Sequence, residues 1–130
     1  MVLLLLFIGW TLFFIIFNRE DNSIDEFDYR TLCESSLERK VYDALLQKGY
    51  NPRTQVRCGK YRIDVALPEY RIAIECDGEY WHSSPEAKRN DSRKNYFLKK
   101  NGWIVCRFKG KVIEKNIGHV LNTIEGKIMT

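Results

Sequence analysis

The sequence predicts an α/β domain in which a mixed β-sheet is flanked by helices, in the order α-β-β-β-α-β-α. Two observations carry that prediction. Three strand-like runs between residues 54 and 77 are separated by the short breaks Gly59-Lys60 and Pro68-Glu69, and connections of that length make an antiparallel meander. A helical stretch over residues 85–102 then separates the third run from a fourth at 103–108, and strand, helix, strand in that order makes a right-handed parallel crossover.

The elements follow in chain order. Residues 1–17, MVLLLLFIGWTLFFIIF, carry no charged side chain; at about 1.5 Å per residue a helix of this length just crosses a thin hydrocarbon core. No basic residue precedes the run and no small-residue cleavage site follows it, so an uncleaved N-terminal transmembrane helix is expected rather than a signal peptide. Arg19 and Arg30 on its C-terminal side place the following domain in the cytoplasm. Residues 18–30 read as an acidic linker, with five acids against Arg19 alone between 18 and 28. Residues 31–130 are the domain itself, a length suited to one core.

Within it, Leu37, Val41, Ala44 and Leu45 form a helical stripe that stops at Gly49, and Ser35-x-x-Glu38 is a capping box at its start. Residues 54–58 form the first strand. In the second, 61–67, Tyr61, Ile63, Val65 and Leu67 share one face while Arg62, Asp64 and Ala66 share the other. In the third, 70–77, Ile72, Ile74 and Cys76 oppose Ala73, Glu75 and Asp77. Ser83-Ser84-Pro85-Glu86 opens the crossover helix with a hydroxyl cap and an early proline. Trp103 belongs to the core. Ile113, Ile117, Val120, Leu121, Ile124 and Ile128 recur at helical spacing, so one C-terminal helix packs its apolar face on the sheet.

Charge and cysteine usage narrow the function. The net charge is only +4, but residues 86–115 hold ten Lys or Arg against three acids. A basic surface gathered in one half calls for a polyanion, with a solvated helix face as the plain alternative. Cys33, Cys58, Cys76 and Cys106 contain no C-x-x-C pair. A zinc cluster and a disulfide framework are therefore unsupported, and free thiols fit a reducing compartment.

The run ECDGEYWH at 75–82 poses the chemical problem. Ionised carboxylates on a buried strand cost several kcal/mol unless paired or bound to metal. The turn after Leu67 brings Asp64 beside Glu75, so that Asp64, Glu75 and Asp77 converge next to the small residues Ala66 and Ala73. Each carboxylate raises the others' pKa, and a hard oxygen-seeking cation, Mg²⁺ (or Mn²⁺), is the natural counter-charge. Such an ion activates water and stabilises the leaving oxygen of a phosphodiester, and His82 has a pKa suited to proton transfer. The competing account pairs Asp64 with Arg62 or Arg71 and leaves Asp77-Gly78 as a turn.

Taken as an ordered set, Arg62-Ile63-Asp64, Ala73-Ile74-Glu75-Cys76-Asp77-Gly78, Tyr80-Trp81-His82, Asp91-x-x-Lys94, Leu98 and Gly102-Trp103-x-x-x-Arg107-Phe108 resemble the PD-(D/E)XK nuclease superfamily. Within it they resemble the small branch related to very-short-patch-repair endonucleases. The resemblance covers roughly residues 34–115 and implies a restriction-endonuclease-like fold acting on DNA, with RNA an open alternative. It implies metal contacts from Asp64, Glu75, the Cys76 main-chain carbonyl and Glu38, and assistance to hydrolysis from His82. Arg89, Arg93, Lys94 and Arg107 would face the phosphate backbone, and Trp81 would stack on bases or simply pack. The superfamily's lysine two residues after the acid is here Asp77, so Lys94 or His82 would take over its function. A non-catalytic module of the same fold that tethers DNA is the alternative function.

Overall fold

The computed structural model describes residues 27–78 and 84–130. The first helix, α1 (Ser36–Gln47), begins where the capping box puts it: the Ser35 hydroxyl accepts from the Glu38 N–H at 3.2 Å, and Gly49 follows the helix at φ 87°. The strands β1 (Arg53–Cys58), β2 (Tyr61–Leu67) and β3 (Ile72–Asp77) form the antiparallel meander. Helix α2 (Pro85–Lys100), capped by Ser84, carries the chain over to β4 (Ile104–Lys109), which lies parallel to β3. The sheet order is β1-β2-β3-β4.

Two cores result, one on each side of the sheet. Val41 and Leu45 of α1 pack with Val65, Leu67, Ile72, Ile74, Cys106 and Phe108 and with the C-terminal residues Ile113, Val120 and Ile124. On the other side Leu98 of α2 meets Ile63, Ala66, Ala73 and Trp103. All four cysteines are free thiols.

Four details depart from the sequence expectation. The C-terminal helix is two helices, α3 (Gly110–Lys115) and α4 (Ile117–Ile128), because Asn116 leaves helical geometry at φ −147° and its side chain caps α4 by accepting from the His119 N–H at 3.0 Å. The β2–β3 connection is longer than two residues: Pro68–Tyr70 form a 3₁₀ turn that closes with Arg71 at φ 54°. Ile63 lies with Ala66 and Ala73 rather than with Val65 and Leu67. The strict alternation fails at Asp64, which forms no ladder pair and faces Gln55, a non-glycine residue at φ 53°.

The fourth is a correction to the fold class. Among the described residues no helix is long and apolar enough to cross a membrane, so the transmembrane helix is withdrawn from the expected architecture. Residues 1–17, which carried that expectation, lie outside the described residues. Of the stretch read as a linker, the last residues are packed onto the domain: Tyr29–Leu32 form a 3₁₀ turn, the Tyr29 carbonyl accepts from the Thr54 hydroxyl, and Arg30 pairs with Asp43 at 2.8 Å.

Candidate active site

The β2–β3 ladder stops at Val65 and Ile74. Two residues beyond Ile74, past the end of that ladder, the Cys76 N–H donates to Asp64 Oδ2 at 2.8 Å. The Asp64 side chain thus takes the place of a ladder carbonyl, which locks its carboxylate against β3 beside Glu75. Burial raises the Asp64 pKa, and this bond and the nearby Lys94 charge oppose the rise.

Glu75 is 2% exposed. Lys94 of α2 donates to its Oε2, while its Oε1 is buried with no hydrogen-bond partner. Burial first, and the Asp64 charge second, lift the Glu75 carboxyl to about 7, with Lys94 pulling the other way. A buried carboxylate oxygen left without a donor is an exception in folded proteins, and a bound water or ion is one way to satisfy it. The competing account of Asp64 fails, because Arg62 pairs with Glu34 at 2.9 Å and Arg71 lies over the Trp103 ring at 4.3 Å.

The three-carboxylate convergence does not form. Asp77 accepts both arms of the Arg107 guanidinium at 2.9 Å. Glu38, also buried, accepts from the Glu34 N–H at 2.8 Å, from Gln55 Nε2 at 3.1 Å and from the Ser35 hydroxyl at 3.2 Å. Among the described residues no three His, Cys, Asp or Glu side chains gather around one point, so the expected ligand set is not preassembled. The Cys76 side chain packs against the α1 side of the sheet, where burial pushes its thiol up and keeps it protonated. What remains is an oxygen-donor pair, Asp64 and Glu75, with one orphaned oxygen. That fits Mg²⁺, which keeps several waters and takes one or two carboxylates.

Among the expected DNA contacts, Arg89 and Arg93 lie exposed on α2 and line a shallow cleft of about 300 Å³ with Glu86 and Asn90. Arg107 is not free: besides Asp77 it reaches Asn95 Oδ1 at 2.7 Å and Asp91 Oδ1 at 3.3 Å. His82 and Trp81 lie outside the described residues. Asn95 and Gln55 escaped the sequence reading. Asn95 follows Asp91 by one helical repeat, a spacing that could have found it; nothing in the local pattern marks Gln55.

A sheet of this order, with an acidic pair on the hairpin and a helix lysine against one of its members, makes this an endonuclease-like domain of the PD-(D/E)XK type. The chain belongs to the family REase_MTES_1575, which it matches over residues 37–128. It is 33% identical over 73 residues to the type II nicking enzyme V.HpaIIP of Haemophilus parainfluenzae, covering 41% of this chain and 52% of that enzyme, so it spans about half of that relative's length. It is 32% identical over 90 residues to the uncharacterized protein YcjD of Escherichia coli (strain K12), covering 67% of this chain and 74% of that one. In structure it is similar to the catalytic domain of the homing endonuclease I-Bth0305I, with a TM-score of 0.61 and 24% identity over 72% of this chain and 93% of the other, a likeness of fold.

Proposed function

We propose that the domain is a Mg²⁺-dependent endodeoxyribonuclease that hydrolyses DNA phosphodiester bonds. The observation that carries this reading is the pairing of half-buried Asp64 with buried Glu75, whose Oε1 is unpartnered and whose Oε2 holds Lys94. Asp64 and Glu75 would hold the ion, which when bound supplies an activated water and charge neutralisation at the phosphate. Lys94, held against Glu75, would take the role of the absent strand lysine. Its amine lies beside Glu75 and would orient a phosphate oxygen as negative charge develops there. Arg89 and Arg93, exposed along the same helix, would follow the DNA backbone. His82 is assigned proton transfer from the sequence alone.

The nicking activity in the name of one relative suggests the assay. Supercoiled plasmid incubated with the full chain and Mg²⁺ should convert to open circles, and Asp64→Asn and Glu75→Gln should each abolish the conversion. Nicking that survives both substitutions refutes the proposal. DNA binding without cleavage, insensitive to metal and to Glu75→Gln, would instead support the tethering module.

A further inference from the structure

Arg107 sits on β4 directly opposite Glu75 in the parallel register, yet its guanidinium is occupied by protein. Its Nε and one terminal nitrogen bind both oxygens of Asp77 at 2.9 Å. The other terminal nitrogen donates to Asn95 at 2.7 Å, and Asp91 completes the ring at 3.3 Å. The Asp77 hydrogen bonds, ahead of every other influence, raise the Arg107 pKa still further, so the group is a permanent cation. Only 21% of its side chain is exposed.

The two helix contacts matter for where they fall. Asp91 and Asn95 are one turn apart on α2 and bracket Lys94, so all three lie on the same side of the helix as Leu98. Residues 84–93 of the same helix are all exposed. Leu98 is the first fully buried anchor, and it lies a full turn beyond Lys94. Apolar packing therefore fixes the C-terminal half of α2 and leaves the turn that carries Lys94 unsupported. Arg107 supplies the missing support by joining that turn to the end of β3.

We propose that Arg107 is a positioning residue, not a phosphate contact: its fork, gripping Asp77 on the sheet and Asp91 and Asn95 on α2, sets Lys94 against Glu75. The proposal rests on the nuclease reading only for its effect on cleavage; the placement of Lys94 is measurable without it. A planar five-donor fork is required for this geometry, and a lysine retains the charge but not the fork.

The test uses the full chain, Arg107→Lys and Asn95→Ala. Each is acetylated briefly with an amine-reactive ester, and modification is read at every lysine by mass spectrometry. In the parent protein Lys94 should react more slowly than the exposed Lys99 and Lys100 on the same helix. In Arg107→Lys the rates should converge, while amide hydrogen exchange in α1 and β3 stays as in the parent. Asn95→Ala, which removes one contact and keeps the Asp77 fork, should give an intermediate rate and serves if Arg107→Lys does not fold. In the plasmid assay kcat should fall about 100-fold with KM little changed, the scale of a small misplacement of a reacting group. Persistent protection of Lys94 in both variants overturns the proposal. So does a variant whose KM rises and whose salt dependence loses about one phosphate contact while kcat holds. If the parent protein does not nick DNA, the nuclease reading fails and the acetylation rates still decide the placement of Lys94.

Discussion

The two sides of the sheet differ in what holds them. Under α1, α3 and α4, Leu45, Val65, Ile72, Ile74, Ile113 and Ile124 are wholly buried and apolar contact does nearly all the work. Under α2 the buried apolar set shrinks to Ile63, Ala66, Ala73, Leu98 and Trp103, and beside it lies a polar cluster: Lys94 on Glu75, and Arg107 on Asp77, Asp91 and Asn95. One side is built for stability. The other gives up packing for a cluster of charges that stabilises little in itself, since desolvation offsets much of the attraction, and such sites are where chemistry is placed.

Substitutions that separate stability from activity sharpen this contrast. The largest expected effect is on the polar side, where Glu75→Gln should bring nicking to background while leaving the melting temperature unchanged or higher, because a poorly solvated carboxylate has been removed. A large drop in melting temperature would show that the acidic pair holds the fold together and would break the contrast. On the apolar side Leu45→Ala should cost roughly 2–5 kcal/mol of stability, seen in urea unfolding, with residual activity falling only as far as the folded fraction falls.

The pH dependence of stability comes next. The folded Glu75 carboxyl titrates at about 7, above its ordinary value of 4.5, so the native state binds the extra proton between these values. Its favourable contribution is complete below about pH 4.5 and is lost as pH rises to about 7, a change on the order of 3 kcal/mol. Glu75→Gln should flatten that slope. Mg²⁺ at pH 8 should restore stability in the parent protein, by about 2.7 kcal/mol at one hundred times its Kd, and should do nothing for Glu75→Gln; thermal shift with and without the ion checks both. The smallest effect is Asn116→Ala, expected to cost about 1 kcal/mol through the lost cap of α4, with no change in metal response.

Much of this was readable from residue order. Turn and cap chemistry at Ser35, Gly49 and Ser84 placed helix ends to within a residue, and alternation along β3 put Glu75 on the face of Ala73, opposite Ile72 and Ile74. Alternation along β2 misled at Ile63, because a break in the ladder at Asp64 and a left-handed Gln55 are settled by tertiary contact and not by local preference. The same holds for partner choice. Asp77 and Arg107 are thirty positions apart, and no local rule says that the arginine of β4 prefers that carboxylate to a phosphate. The two helices at the C-terminus were hidden because Ile113 to Ile128 keep one periodicity through the break, and only Asn116 signals it.

The β1–β2 turn adds a last consequence. Gly59, at φ 58°, lies so near the Phe97 ring that a Cβ there would come within 2.6 Å of it, and Tyr61 tilts against the same ring at 5.4 Å. Phe97 stands on α2, three residues beyond Lys94. A hairpin tip is ordinarily the cheapest place to insert a tag or lengthen a chain. In this molecule an insertion at residues 59–60 would act as a wedge under the helix that bears Lys94.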